Sequence, residues 1–219
     1  MKYLIITKTK WDMDNFSSLN TNFKILKECN FKEIKKLNPK IIFFLHWSKK
    51  IPENIFMNFL CIQFHSSDLP KFRGGSPIQH QILNGLSKTK ITAFKVSNKI
   101  DKGEICLKQN LSLHGNANEI FKRMEEICIK MIIKIIKLKK INFEKQKKSL
   151  KIFKRRKPSE SQINFKKMNN IKLIYNFIRA TDAKNYPYAF LKYENILIEF
   201  YNAKIKSNKV YAEVKISKK

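Results

Sequence analysis

The sequence predicts an α/β fold: an open, mostly parallel sheet with helices on both faces, then a small C-terminal α+β or β appendage. Three observations carry this. Short apolar runs alternate with helix-period segments over the first 140 residues, the pattern of successive strand–helix units. Several of those runs are apolar throughout, as in strands covered on both faces. A charged stretch of poor periodicity follows, and short strands dominate the remainder. The expected organisation is a main domain over 1–140, a linker over 141–157 and a small domain over 158–219.

Tyr3 to Thr7 is the first buried strand, and Asn20 to Cys29 shows loose helical spacing through Phe23, Ile25 and Leu26. Pro39-Lys40 leads into the apolar run Ile41 to Leu45, a second strand. Pro52 and then Ile55 to Phe59 predict a short helix or turn, and Cys61 to Phe64 the next strand, ending at His65. Ser76 before Pro77 is a helix start, an N-cap oxygen followed by proline at the first helical position, and Gly85 after Asn84 is its stop. Thr89 to Val96 and Ile105 to Leu113 alternate like strands, with the Asp101-Lys-Gly-Glu104 turn between them. Asn116 or Asn118 caps a long amphipathic helix through Leu138, with Ile120, Met124, Ile127, Met131 and Ile135 on one stripe. After the linker come a helix near 169–180 and strands at Ala189–Tyr193, Ile196–Tyr201 and Val210–Ile216, the last two a hairpin.

Hydrophobic residues make up 43% of the 219 and aromatics 12%, which excludes a disordered chain. The four cysteines, Cys29, Cys61, Cys106 and Cys128, have neither paired nor metal-ligand spacing. They predict free thiols in a reducing compartment and no metal site. The apolar start is too short for a signal peptide or membrane span, so a cytoplasmic protein is expected. A net charge of +29 has two readings. One is a surface for nucleic acid or another anion. The other is compositional bias, and it is favoured. The lysines are spread along the whole chain, and patterned recognition uses arginine forks, which are few here. Nucleic acid is therefore not expected as a partner beyond non-specific attraction.

All five glycines fall between positions 74 and 115, which concentrates the tight loops there. In open α/β sheets ligands sit beyond the carboxyl ends of the strands, and His65 lies at such an end. Gln63, two residues back in extended backbone, points the same way. Asp101 offers a carboxylate that would hold the imidazole in one tautomer. Amide, imidazole and carboxylate together suit acyl transfer as oxyanion donor, proton shuttle and orienter. No serine elbow or cysteine nucleophile accompanies them, which favours direct transfer over a covalent intermediate.

His65-Ser-Ser-Asp-Leu-Pro-Lys-Phe-Arg-Gly-Gly-Ser-Pro-Ile-Gln79, with Asn84-Gly85, Thr92 and Ile100-Asp-Lys-Gly-Glu-Ile105, resembles the N10-formyltetrahydrofolate-dependent formyltransferases. That family's hallmark is Asn-x-His-x-Ser-x-Leu-Pro-x-x-Arg-Gly followed by Asp-x-Gly-x-Ile. The resemblance implies a Rossmann-like catalytic domain over 1–140, N10-formyltetrahydrofolate as formyl donor and tetrahydrofolate as product. It implies that an acceptor amine attacks the formyl carbon and that His65 with the amide at 63 stabilises the oxyanion. His65 or a water takes the amine proton, and Asp101 positions His65. One departure is visible: the family has Asn where this chain has Gln63, and the extra methylene displaces the amide in a reaction that tolerates misplacement poorly.

The resemblance further implies folate contacts at Leu45, His46, Trp47, Ile51, Pro52, Ile100 and Asp101. It implies acceptor contacts at Ser66, Ser67, Asp68, Arg73, Gly74, Gly75 and Ser76. On the residues alone, Trp47 reads rather as a half-buried aromatic, Arg73 equally as a solvated loop residue, and His46, His80 and His114 as structural or surface residues. Phe153-Lys-Arg-Arg-Lys-Pro158 is similar to a segment of the sugar-modifying members, and the C-terminal part is too short for the barrel used on tRNA. These two features favour a small-molecule amino sugar, nucleotide-linked, in surface-glycan biosynthesis. The alternatives are a methionyl-tRNA formyltransferase variant and a homologue that binds without catalysis. The C-terminal hairpin leaves a homodimer open.

Overall fold

The computed structural model describes residues 2–8, 23–148, 151–184 and 186–218. The chain forms two compact units. The first comprises Met1–Arg73, Lys90–Asn110 and Met124–Leu150; the second comprises Gly74–Thr89, Leu111–Arg123 and Lys151–Lys219.

The N-terminal strands are β1 (Tyr3–Ile6), β2 (Phe23–Leu26), β3 (Ile41–Phe44) and β4 (Cys61–His65), with helices α1 (Phe31–Leu37) and α2 (Glu53–Phe56) between them. Next come the two-residue β5 (Arg73–Gly74), helix α3 (Pro77–Leu83), β6 (Lys88–Lys95), β7 (Ile105–Ser112) and the long helix α4 (Ala117–Lys137). The main sheet runs β2-β1-β3-β4-β6-β7. Its first four strands are parallel, and β6 is antiparallel to β4. It is the mostly parallel α/β sheet that the apolar runs predict.

Why each run forms its element is legible in burial. All four residues of β3 are buried, so a polar side chain would have no solvated face there. Ile42 and Phe44 of β3 pack with Leu4, Ile6, Ile34, Ile55 and Cys61 in one cluster. Phe43 faces the other way, its ring 6.3 Å from that of Phe64 and 6.5 Å from that of Tyr3. Helix α1 starts where Asn30 Oδ1 accepts from Glu33 N at 3.2 Å, and stops at Asn38 with φ of 42°.

The helix expected over 20–29 is corrected. Phe23–Leu26 is strand β2, parallel to β1, and residues 20–22 lie outside the described ones. All four β2 residues are only half-buried, because an edge strand has one neighbour. That leaves the mixed polarity which mimics loose helical spacing.

Helix α4 begins with a reciprocal cap. Asn116 Oδ1 accepts from Glu119 N, and Glu119 Oε2 accepts from Asn116 N, both at 2.9 Å. Ile120, Met124, Cys128, Met131, Ile132 and Ile135 are buried along it, close to the expected stripe, with Ile127 at its edge.

In the second unit, β8 (Ile152–Phe153) precedes α5 (Ile171–Thr181) and the strands β9 (Ala189–Tyr193), β10 (Ile196–Lys206) and β11 (Lys209–Lys218). The last three form an antiparallel sheet of order β11-β10-β9, so the expected hairpin is present and longer than its pattern suggests. Its turn residues Ser207 and Asn208 both have positive φ, the backbone of a tight two-residue hairpin. Ile163, Phe177, Ile178 and Ala189 form the core of this unit. The buried Arg179 donates to Leu113 O at 2.6 Å, Gly115 O at 2.8 Å and Asn176 Oδ1 at 2.8 Å, while desolvation holds its pKa below the ordinary value.

The stretch read as a linker is tied down at both ends. Glu144 bridges Ile105 in the first unit, and in the second Gly75 N donates to Phe153 O at 2.8 Å.

Candidate functional site

The site is built on the carboxyl end of β4. Extended backbone there carries Gln63 and His65 on one face, and the pairing of β4 with β6 sets Gln63 opposite Phe94 and His65 opposite Thr92. His65 is 7% exposed. Its Nε2 lies 3.0 Å from Phe72 O, and its Nδ1 lies 3.6 Å from Asp101 Oδ2. A carbonyl only accepts, so Nε2 carries a hydrogen. Nδ1 faces the Asp101 carboxylate, which can hold a hydrogen on that nitrogen. The Phe72 oxygen marks the position where His65 can donate Nε2–H to a carbonyl-type oxygen.

Asp101 belongs to the turn between β6 and β7. It has φ of 47°, a left-handed conformation that few residues without glycine's freedom adopt. Gly103 fixes the turn's depth, because a Cβ there would sit 1.6 Å from Lys95 O. Lys95 N also donates to Glu104 O at 2.8 Å. The side chain of Asp101 is 9% exposed, so its interaction with His65 is poorly screened.

Gln63 Nε2 donates to Trp47 O at 3.2 Å, which ties the loop after β3 to the site strand. The other residues expected near a folate divide by burial. Leu45, Trp47 and Ile51 are buried, and Trp47 packs in the first unit's core with its ring 6.0 Å from that of Phe44. Its indole Nε1 is buried with no partner among the described residues. His46 adopts φ of 48°, and desolvation lowers its pKa from 6.5 to about 4. Pro52 is exposed before α2, and Ile100 is 71% exposed beside Asp101.

The residues expected to meet an acceptor are largely occupied by the loop itself. Ser67 is fully buried and its hydroxyl donates to Lys71 O at 2.6 Å. Asp68 pairs with Lys108 at 2.5 Å, and Lys108 also donates to Leu69 O at 2.6 Å. Burial opposes the charge on Asp68, but Lys108, Lys90 and Lys71 outweigh it and hold its pKa below the ordinary value. Thr92 spans the same loop, donating to Ser67 O at 2.7 Å and accepting from Leu69 N at 3.3 Å. Ser66 is half-buried. Arg73 is buried, and its Nε has no partner among the described residues.

In the second unit, Gly74 and Gly75 are required by close packing. A Cβ on Gly74 would lie 2.2 Å from Phe153 O, and one on Gly75 would lie 2.4 Å from Arg155 Cα. Ser76 precedes α3 as expected but does not cap it. Its backbone is left-handed, and its hydroxyl accepts from Arg156 N at 3.1 Å. His80 is structural, with Nε2 at 2.9 Å from Lys154 O and its ring tilted against that of Phe153, centres 4.8 Å apart.

Sequence reasoning misses Phe72, Lys108 and Gln146, the last of which donates to Asp101 O and Gly103 O. Phe72 contributes its own carbonyl and Gln146 donates to backbone carbonyls, so no partner side chain signals either contact. The alternating β7 pattern places Lys108 in a strand without naming its partner. Among the described residues no group of His, Cys, Asp and Glu could hold a metal ion, and no helix is long and apolar enough to cross a membrane.

Comparison with known proteins gives a consistent picture. Residues 14–136 match the formyl transferase family model, and residues 158–217 match that of the methionyl-tRNA formyltransferase C-terminal domain. The methionyl-tRNA formyltransferase of Thermodesulfovibrio yellowstonii is 30% identical over 181 residues, covering 79% of this chain and 58% of that protein. The chain thus spans little more than half the length of that relative. A solved methionyl-tRNA formyltransferase from Clostridium thermocellum superposes with a TM-score of 0.92 at 39% identity, covering 100% of both chains. A sugar N-formyltransferase from Shewanella shares the fold, with a TM-score of 0.65 at 13% identity over 97% of this chain and 96% of that one. With its central motif and the site-bearing residues Gln63, His65 and Asp101 inside the matched segment, the chain belongs to the formyl transferase family.

Proposed function

We propose that the chain transfers the formyl group of N10-formyltetrahydrofolate to the amine of methionyl-tRNA. The observation that carries this reading is the buried His65–Asp101 pair at the end of β4, on a chain that aligns throughout with a solved methionyl-tRNA formyltransferase at 39% identity. The sequence by itself favours an amino sugar, on two grounds that lose force. Arg156 is engaged within its own unit, stacked 5.7 Å from the Phe177 ring centre with its backbone N–H on Ser76. Shortness at the C-terminus does not separate the acceptors either, since the Clostridium thermocellum chain is matched over its whole length.

The residues present fit a folate. A pterin is a flat ring with donors and acceptors along its edge. The loop from Leu45 to Pro52 is tied to β4 through Gln63, and the turn carrying Ile100 is joined to β4 through His65 and Asp101. The exposed Ile100 side chain and the unpartnered Trp47 indole N–H are the apolar and polar features such a ring would use. When bound, the folate supplies the formyl group.

The chain's own residues do the rest. His65 donates Nε2–H to the oxygen that takes the place of Phe72 O, which favours negative charge developing there. Asp101 holds the Nδ1 proton and keeps the ring oriented. Gln63 keeps the folate-side loop in place and has a second amide hydrogen to offer. With both ring nitrogens of His65 carrying a hydrogen, a water accepts the proton of the attacking amine.

The test is a transfer assay with N10-formyltetrahydrofolate against methionyl-tRNA and a panel of nucleotide-linked amino sugars. Tetrahydrofolate release with methionyl-tRNA, lost in His65→Ala, is the expected result. Affinity for tRNA should fall steeply between 50 and 200 mM salt, as phosphate contacts require. Release with an amino sugar alone would move the acceptor to sugars, and silence across both would overturn the reading.

A further inference from the structure

Gln146 lies beyond α4, in the stretch that the sequence presents as a charged linker. Its side-chain nitrogen donates to Asp101 O at 3.0 Å and to Gly103 O at 2.8 Å. Both acceptors are carbonyls, so only the amide NH2 can stand there, and both its hydrogens are used. Its Oε1 is buried with no partner among the described residues. The side chain is therefore held by what it gives to the turn. Two residues earlier, Glu144 and Ile105 exchange backbone hydrogen bonds at 2.8 and 2.9 Å, which fixes this segment beside the start of β7.

The turn needs such support. Asp101 stands in the left-handed region, and a side-chain-bearing residue stays there only where its surroundings over-determine the backbone. From one side Gly103 presses against Lys95 O. From another, Gln146 bridges the first and third residues of the turn, so 101 and 103 cannot separate without breaking a hydrogen bond. The Asp101 carboxylate and the imidazole of His65 meet at 3.6 Å, and a turn that rocks would vary that distance directly.

We propose that Gln146 is a positioning residue for formyl transfer, clamping the Asp101–Gly103 turn so that the carboxylate of Asp101 stays against Nδ1 of His65. The inference rests on the assignment of His65 and Asp101 as the catalytic pair. Gln146 touches neither substrate; it acts through the backbone of Asp101.

The test uses the full chain with Gln146→Leu, which keeps the bulk and removes the donors, and Gln146→Glu, which keeps the length and presents a carboxylate to two carbonyls. If the first fails to fold, the second carries the test. Amide hydrogen exchange should accelerate about tenfold at residues 101–104 while amides of β3 and β4 keep their protection, the mark of a local opening. The rate kcat should fall about tenfold with little change in KM for either substrate, as expected for a misplaced catalytic group. In an Asp101→Asn background the same substitution should have almost no effect on kcat, because the group being positioned is no longer a carboxylate.

Unchanged exchange across 101–104 would overturn the proposal, and so would a tenfold loss that persists in the Asp101→Asn background. If the unaltered protein formylates no acceptor, the transferase reading fails, and the exchange measurement still decides whether Gln146 clamps the turn.

Discussion

Gly103→Ala is the most quantitative probe of the site. The added Cβ would fall 1.6 Å from Lys95 O and 2.8 Å from Lys95 C, both backbone atoms that cannot rotate away. Ordinary contact begins near 3.4 Å, so the turn must recede by about 1.8 Å. The hydrogen bond from Lys95 N to Glu104 O would stretch with it.

Asp101, two residues away, would be drawn off His65. Taking an effective dielectric of about 20 for this poorly exposed pair, widening 3.6 Å by 1.8 Å weakens the attraction by about 1.5 kcal/mol. That alone is roughly a tenfold loss of rate, and misplacing a catalytic group by more than 1 Å raises the expected loss towards 100-fold. Overpacking should cost about 1–3 kcal/mol of stability. The assay is kcat/KM for formyl transfer beside a denaturant midpoint. A protein destabilised as expected but with kcat/KM within threefold of the original would refute the argument that the turn's depth sets the His65–Asp101 distance.

Three further outcomes are expected. Asp101→Asn keeps the size of the side chain but removes the charge facing Nδ1, and should lower kcat about 100-fold or more; near-normal turnover would remove Asp101 from the mechanism. Gln63→Asn shortens the side chain that reaches Trp47 O, so KM for the folate should rise several-fold while kcat stays within about threefold, and a large fall in kcat at constant KM would instead make the extra methylene a catalytic requirement. Burial lowers the pKa of His46 from 6.5 to about 4, so the unfolded chain binds more protons between those values and stability should fall as pH drops through that window. The full effect would be about 3 kcal/mol, reduced by the ring's partial exposure. Urea midpoints at pH 7, 5 and 4 should show the loss, and His46→Gln should flatten it.

How much was legible beforehand differs between fold and site. The largely buried apolar runs of β1 and β3 carry their strand character in composition alone, because a strand covered on both faces leaves little room for polar residues. Helix α4 is equally plain, its cap and apolar stripe both being local signals. Strand β2 is not, since an edge strand owes its identity to the neighbour it pairs with. In the site, Gln63, His65 and Asp101 stand out by motif. At Ser67, Ser76, Gly74 and Gly75 the structure adds packing and hydrogen-bond partners that the motif does not show, because motif spacing records which residues recur and not which atoms they touch.

The sequence by itself determined the strand–helix alternation, the C-terminal hairpin and the imidazole–carboxylate pair, all of which follow from short-range pattern or from one contiguous motif. Only the tertiary structure decided that Phe72 offers its carbonyl to His65, that Gly103 is pressed onto Lys95, and that Gln146 holds the turn of Asp101 from 45 residues away. The physical reason is common to the three. Each acts through backbone atoms of a partner that every residue type possesses, so nothing in the partner's side chain announces the contact until the chain has folded.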